Sequence, residues 1–176
     1  MKQINKYIQE RLHINKDTGN HYNYHPKTVD ELKQLVDKLI KERGYDGDLN
    51  DIDTSEITNM FALFYKSNFN GDISQWDVSN VENMDYMFSY SKFNGDISNW
   101  DVSNVESMNS MFYKSKFNGD ISNWDVSNAK YMNSMFAQSK FTGEHGDISK
   151  WDVSKVINMN FMFNGTPLEK NPPKWY

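Results

Sequence analysis

The sequence repeats itself every 24 residues over most of its length, and this period constrains the fold more than any other feature. Trp76, Trp100 and Trp124 are spaced by 24 residues, and Trp151 follows after 27. Near-identical copies fill residues 69–140, each opening with Phe-Asn-Gly-Asp-Ile-Ser. Such a period is typical of stacked units that bury their apolar faces only against their neighbours. The sequence therefore predicts a repeat array rather than a conventional mixed core.

The predicted array has five units and covers residues 45–167. The first unit begins near Tyr45, where Tyr-Asp-Gly-Asp-Leu matches the opening of the later copies. The fifth unit begins at Phe141 and contains three extra residues within 142–146, which accounts for the longer tryptophan spacing. The remaining residues, 168–176, are predicted to form a C-terminal cap over the last unit.

Within one unit, the apolar spacing predicts a short strand followed by a helical turn. The stretch 72–81 contains β-branched residues and partly alternates apolar with polar positions, as a strand does. The apolar residues from Val81 to Phe88 then recur at i, i+3, i+6 and i+7, which is the spacing of one helix side. This predicts an α/β repeat solenoid, leucine-rich-repeat-like, with 24-residue coils. The residues expected to form continuous internal rows are Phe69, Ile73, Trp76, Val78, Val81, Met84, Met87 and Phe88 and their equivalents.

The segment before the array carries the strongest helix signals in the chain. Residues 28–31 form a capping box, residues 32–40 carry an amphipathic stripe, and Gly44 is a typical C-terminal signal. We expect this helix to cover the first unit, so that residues 1–44 form an N-terminal helical cap. A second, weaker amphipathic helix is predicted over residues 5–12.

The repeated motif F-N-G-D-I-S-x-W-D-V-S-N-V-x-x-M-x-x-M-F resembles the BspA-like repeat of bacterial, especially mycoplasma-type, surface lipoproteins. The resemblance covers residues 45–167. It implies a leucine-rich-repeat-like solenoid that serves surface attachment or protein binding, without an assigned enzymatic activity. It implies no defined ligand.

The expected location follows from the absence of export signals. The sequence contains no cysteine, which excludes disulfides, zinc-thiolate sites and a lipoprotein anchor. The first residues are polar and charged, and no window approaches the length of apolar chain that a membrane span needs. We therefore expect a cytoplasmic monomer that does not insert into membranes. The surface location implied by the resemblance is the alternative.

Charge is distributed unevenly along the chain. Residues 45–166 hold 17 acidic and 8 basic residues, whereas residues 1–44 hold 9 basic and 6 acidic residues. An acidic array repels a phosphate backbone, so no direct nucleic-acid binding is expected. It could attract a basic protein surface or imitate a phosphate backbone, although an acid excess also simply keeps a repeat protein soluble.

The residues offer little to support catalysis. His13, His21 and His25 cluster with Asp17, but no zinc-protease, phosphate-loop or serine-elbow motif accompanies them. The carboxylates occur as repeated copies, whereas general acid–base catalysis needs a unique pair in unequal environments. We expect a protein that is not an enzyme and that uses no cofactor.

Two rows of aspartates recur with the repeat. Stacked carboxylates can hold calcium, but one Asp per row in each unit offers few ligands per ion. The favoured interpretation is that each Asp caps a turn through backbone amides, so no metal site is predicted. The two rows are Asp48, Asp72, Asp96, Asp120 and Asp147, and Asp53, Asp77, Asp101, Asp125 and Asp152.

Positions that differ between units are the candidate binding surface, because they do not hold the repeated frame. Exposed tyrosines supply rigid contact area of the kind that dominates many interfaces, and an inserted loop on a rigid scaffold is a second candidate. Neutral drift on a solvated face is the alternative explanation. The predicted partner-binding residues are Tyr65, Tyr86, Tyr90, Tyr113, Tyr131, Glu82, Glu106, Glu144 and His145.

The resulting hypothesis is a non-enzymatic protein-binding module that recognises an intracellular target through these variable positions. Two alternatives stay open. One is a surface attachment protein. The other is a phage- or mobile-element-encoded inhibitor of a host defence protein that acts by acidic nucleic-acid mimicry.

Overall fold

The computed structural model describes residues 22–176, and its one α-helix in this range, α1, spans Val29–Arg43. Thr28 is the N-cap, and its Oγ1 accepts a hydrogen bond from the Glu31 N–H at 3.2 Å. The helix ends at Gly44, which has a φ of 85°. These bounds confirm the helix predicted from the capping box, whereas the helix predicted over residues 5–12 lies outside the described residues.

The apolar stripe of α1 is buried, and its C-terminal end is tied to the first unit. Leu32, Leu35 and Leu39 are fully buried and belong to the same hydrophobic cluster as the repeats. At the end of α1, Arg43 makes a two-pronged ion pair with Asp51, with Nη1–Oδ1 at 2.7 Å and Nη2–Oδ2 at 2.9 Å. Burial and this ion pair together fix the helix against the start of the array.

The predicted α/β repeat solenoid is wrong, because the units contain neither the strand nor the helix that it requires. Residues 22–176 form no β-strand, and α1 lies before the repeats. Consecutive units meet at isolated parallel bridges, one row of which runs through Asn59, Asn83, Ser107, Tyr131 and Asn158. The leucine-rich-repeat comparison fails for the same reason. The observed architecture is a stack of turns in a 24-residue register.

Three overlapping β-turns take the place of the predicted helical turn. In the second unit the N–H groups of Met87, Ser89 and Ser91 donate to the carbonyls three residues earlier, at 3.1–3.2 Å. Turns closed from residue i to i+3 place apolar side chains at the same three-residue spacing as a helix. This shared spacing explains why the helical prediction was wrong.

The backbone N–H groups that alternate with these three turn donors bond to the next unit. The N–H groups of Met84, Tyr86, Phe88 and Tyr90 donate to carbonyls of the third unit at 2.7–2.9 Å. Two of these four donors, Tyr86 and Tyr90, are left-handed, with φ of 58° and 59°, and each is the third residue of its turn, where type II turns require positive φ. The pattern recurs along the array, where the left-handed residues other than glycine are Ala62, Lys66, Tyr86, Tyr90, Ser110, Lys114, Ser134, Gln138 and Phe161.

Aspartate-capped turns take the place of the predicted strand. Oδ1 of Asp72 accepts a hydrogen bond from the Ser74 N–H at 2.9 Å, and Oδ1 of Asp77 accepts from the Ser79 N–H at 3.0 Å. Capping in this manner confirms the favoured interpretation of the two aspartate rows, and it bends the chain where a strand would run straight.

Stacked rows of buried side chains form the core, as the repeat predicts. All eight apolar positions named for the second unit are at most 3% exposed. Phe64, Phe88 and Phe112 stack with ring centroids 5.4 and 5.6 Å apart. Each repeat tryptophan also donates its indole N–H to a carbonyl of the preceding unit, as Trp100 does to Ile73 at 3.2 Å. These tryptophans therefore hold adjacent units together.

The C-terminal residues pack on the last unit. Trp175 lies 24 residues after Trp151, stacks on it with centroids 6.2 Å apart, and donates its indole N–H to the Ile148 carbonyl at 2.9 Å. Tyr176 contacts Phe163 edge to face. Trp175 thus continues the tryptophan row past the last complete unit. Two short 3₁₀ helices, at Ile148–Lys150 and Pro167–Glu169, complete the described elements.

Candidate functional site

An open groove of about 620 Å³ crosses the first four units on the side where the left-handed residues lie. Tyr65, Tyr86 and Tyr90 are 40–42% exposed, whereas the phenylalanines and tryptophans of the internal rows are buried. The groove brings together four of the five predicted tyrosines. Its lining residues are Phe61, Ala62, Tyr65, Tyr86, Ser89, Tyr90, Ser110, Tyr113 and Ser134.

Two lysines lie between the tyrosine rings of this groove. The Lys66 Nζ is 5.0 Å from the ring centroid of Tyr65 and 5.7 Å from that of Tyr90. The Lys114 Nζ is 5.3 Å from the centroid of Tyr90 and 5.2 Å from that of Tyr113. All four distances are within the range of cation–π attraction. The floor of the groove is therefore a ladder in which ammonium groups alternate with tyrosine rings, and we call the whole the Tyr–Lys groove.

The backbone sets the direction of these side chains. Tyr90, Lys66 and Lys114 occupy the second left-handed position of their units, and Tyr86 occupies the first. At these positions the N–H groups donate to the next unit and the side chains are exposed. Tyr65 and Tyr113 precede left-handed lysines, so rings and ammonium groups from successive units meet. Tyr65 and Tyr90 contact edge to face at 5.9 Å, and Tyr90 and Tyr113 at 5.3 Å.

Five predicted residues lie outside this groove, and two of them belong to the inserted loop. Tyr131 is 41% exposed but belongs to the bridge row, where it pairs with Ser107. Glu82 and Glu106 line a separate polar groove of about 420 Å³. Glu106 is engaged there by Lys130, whose Nζ is 2.7 Å from Oε1. The structure does not bring these residues together with the four groove tyrosines.

The inserted loop is a third surface. Glu144 and His145 are exposed and pair with each other, with Oε1 and Nε2 3.3 Å apart. Asn118 approaches Glu144 with an Nδ2–Oε1 distance of 3.5 Å. His145 also contributes, after the capping serine, to the lowered pKa of Asp120. The loop therefore lies against Asn118, whose N–H donates to Oδ1 of Asn94, and it does not line the Tyr–Lys groove.

The carboxylates of the aspartate rows are committed to their turns. The Ser122 N–H lowers the pKa of Asp120, and Ser127 lowers the pKa of Asp125, because both donors bond the charged carboxylate. Among residues 22–176 no group of three or more metal-ligating side chains converges. Of the predicted histidine cluster, His25 is described and pairs through Nδ1 with Asp53 at 3.0 Å, whereas His13, His21 and Asp17 lie outside the described residues.

Sequence reasoning found the tyrosines but missed Phe61, Lys66 and Lys114. Phe61 is 48% exposed and contacts Tyr86 edge to face at 5.8 Å. The signal was present, because Lys66 and Lys114 follow a tyrosine directly while the equivalent residues of other units are Tyr, Gln and Gly. Their position over the rings depends on left-handed turns that the sequence pattern does not indicate.

The repeat sequence matches a family model over most of the chain. The model is DUF285, described as a Mycoplasma protein of unknown function, and it matches residues 30–145 and again 113–175. The chain belongs to this family. The two DUF285 matches together include all five units and all of α1 except its first residue. No curated protein and no solved structure matches the chain, so the finer BspA-like assignment has no named relative to support it.

The DUF285 chain has no helix in the described range that is both long enough and apolar enough to cross a bilayer. The one α-helix there, α1, has 15 residues and carries charged residues in its first and last turns.

Proposed function

We propose that this DUF285 chain is a non-enzymatic protein-binding module that contacts its partner through the Tyr–Lys groove. The observation that carries the proposal is the convergence of Tyr65, Tyr86, Tyr90 and Tyr113 from three units on one open surface. Tyr65 and Tyr113 are equivalent to each other, and each of the three repeat positions that the four tyrosines occupy carries other residues in other units. Their position therefore does not follow from the need to maintain the repeated core.

The physical chemistry of the groove favours a protein surface as its ligand. Tyrosine offers a large apolar ring and a polar hydroxyl at low conformational cost, and it is enriched where interfaces are energetically strongest. The backbone beneath is bonded to neighbouring units on both sides, so the rings are presented by a rigid frame. A preorganised surface of this kind loses little entropy on binding.

The test is partner capture with matched tyrosine variants. The immobilised chain is incubated with fractionated bacterial lysate, and bound proteins are identified by mass spectrometry and then re-bound in purified form. We expect the double variant Tyr65→Ser/Tyr113→Ser to lose the partner. The control is Tyr131→Ser, which removes an equally exposed tyrosine that does not line the groove.

Two results would contradict the proposal. A partner that the groove variant retains and Tyr131→Ser loses would place the site on the bridge row. A partner lost only in Glu82→Gln/Glu106→Gln would place it in the polar groove. Thermal unfolding of every variant verifies that lost binding does not reflect lost folding.

A further inference from the structure

The array separates its charges in a regular way. At each of the four junctions between consecutive units one ten-residue segment contains no Asp or Glu, although residues 45–166 hold 17 acidic residues. These acid-free segments are 62–71, 86–95, 110–119 and 134–143. They carry five of the eight basic residues of the array, namely Lys66, Lys92, Lys114, Lys116 and Lys140.

These five lysines form one basic stripe beside the tyrosines. Lys66 and Lys114 lie in the Tyr–Lys groove, whereas Lys92 and Lys116 line an adjoining groove of about 430 Å³ that has Asp46 at its N-terminal end. Lys140 continues the Lys92 and Lys116 row into the fourth unit, and all five side chains are exposed.

The lysines of the stripe have no carboxylate partner. Within residues 22–176 none of the five comes within 4.0 Å of a carboxylate, whereas Lys130 outside the stripe pairs with Glu106. The Tyr113 hydroxyl raises the pKa of Lys114, because it hydrogen-bonds the charged ammonium group. A row of unpaired cations beside exposed rings is complementary to an anionic, partly apolar ligand.

We propose that the Tyr–Lys groove and the adjoining lysine row bind an extended acidic segment of a partner protein. This inference rests on the proposed function of the same groove and specifies the chemistry of its ligand. Carboxylates of the segment meet the unpaired ammonium groups, and the apolar side chains between them contact the tyrosine rings.

The geometry of the stack favours an extended segment. The core rings of successive units are 5.4–5.6 Å apart, so equivalent positions of successive units lie a similar distance apart along the stripe. An extended chain advances about 3.3 Å per residue, and a segment lying along the stack therefore passes a new unit every one to two residues. A segment in which acidic residues alternate with apolar ones would complement both the ammonium groups and the tyrosine rings of the groove.

The same features disfavour a single-stranded nucleic acid. Base stacking needs free aromatic faces, whereas the Lys66 and Lys114 ammonium groups already lie near the Tyr65, Tyr90 and Tyr113 rings. A long polyanion also encounters the acidic remainder of the array, which a short segment that is confined to the stripe avoids.

The test measures fluorescence anisotropy of three labelled peptides of about a dozen residues, in which Glu, Gln or Lys alternates with Pro to keep the chain extended. A thymidylate oligonucleotide of similar length is the fourth probe. We expect the Glu peptide to bind most tightly and to weaken as salt is raised. Lys66→Gln and Lys114→Gln should each weaken it about two- to fivefold, as is typical of exposed ion pairs. The control variants Lys150→Gln and Lys155→Gln remove the same charge outside the stripe and should leave the affinity unchanged.

The outcomes separate this inference from the proposed function. Equal binding of the Gln peptide, or no binding of the Glu peptide, overturns the acidic ligand. Tighter binding of the oligonucleotide overturns it in favour of a nucleic acid. A captured partner that is lost in Tyr65→Ser/Tyr113→Ser but kept in Lys66→Gln/Lys114→Gln supports the groove and refutes the acidic chemistry. A partner that binds both double variants as tightly as the parent chain refutes the groove as the binding site.

Discussion

Replacement of Ser110 by valine tests the left-handed backbone on which the Tyr–Lys groove is built. Ser110 has a φ of 53°, and its N–H donates to the Asn133 carbonyl at 2.8 Å. Serine already bears the cost of roughly 1–2 kcal/mol that an L-residue has in this region, so the substitution adds only the strain of a β-branched side chain, on the order of 0.5–1.5 kcal/mol. Ser110→Val should therefore lower the free energy of unfolding by about 0.5–1.5 kcal/mol. For a chain of this size that corresponds to a fall in Tm of about 1–6 °C.

Urea unfolding followed by tryptophan fluorescence measures this change as a shift in midpoint at constant slope. Ser110→Asn should keep or raise the stability, because asparagine tolerates a left-handed conformation. Ser98→Val is the matched control, since Ser98 lies in an aspartate-capped turn without positive φ. The reasoning would be refuted if both valine variants lost the same free energy, or if Ser110→Asn lost as much as Ser110→Val.

Three further changes test other parts of the fold. Trp100→Phe leaves the buried Ile73 carbonyl without its indole donor and should cost about 1–3 kcal/mol in urea unfolding; an unchanged midpoint would contradict the structural role of the indole N–H. Thr28→Ala removes the N-cap of α1 and should cost about 1 kcal/mol by the same assay, whereas Thr28→Ser should cost little. Asp120 has a lower pKa folded than unfolded, so its contribution to stability is present above the unfolded pKa of about 3.9 and is lost as pH falls through the folded pKa. Asp120→Asn keeps the oxygen that caps the turn. The free energy of unfolding of this variant should fall less steeply than that of the parent chain on acidification below about pH 4. An identical dependence of stability on pH would contradict the role of the Asp120 carboxylate.

The core and the register could be predicted from the sequence because both depend on composition that recurs at a fixed interval. Phe88 and Trp100 occupy fixed places in each copy, and a stack must bury such residues in rows. The N-cap of α1 could also be predicted, because Thr28 and Glu31 are residue types that form capping hydrogen bonds at this spacing. These features are local or strictly periodic, and pattern analysis detects both.

The path of the backbone within a unit could not be predicted in the same manner. Three-residue spacing from Met84 to Met87 is common to a helix and to a chain of β-turns. What separates them is the positive φ of Tyr86 and Tyr90, and neither residue is the glycine or asparagine that marks such a conformation. The lysine positions over the rings follow from that backbone, so they were missed together with it.

Each unit of the stack bonds to the next in the same register. The number of units can therefore change while the bonding pattern between units stays the same. The turn donors of the second unit, from Met84 to Tyr90, bond to the third unit in the same pattern by which the third bonds to the fourth. Deletion of residues 93–116 would bring the second unit against the fourth through equivalent donors and acceptors, and duplication of a unit would extend the stack by the same chemistry. Recombination between near-identical coding segments can therefore lengthen or shorten the groove by a whole tyrosine–lysine step while each junction keeps its bonds. Under the proposed function, gene rearrangement would change the length of the binding groove, and point substitution of its exposed residues would change its chemistry.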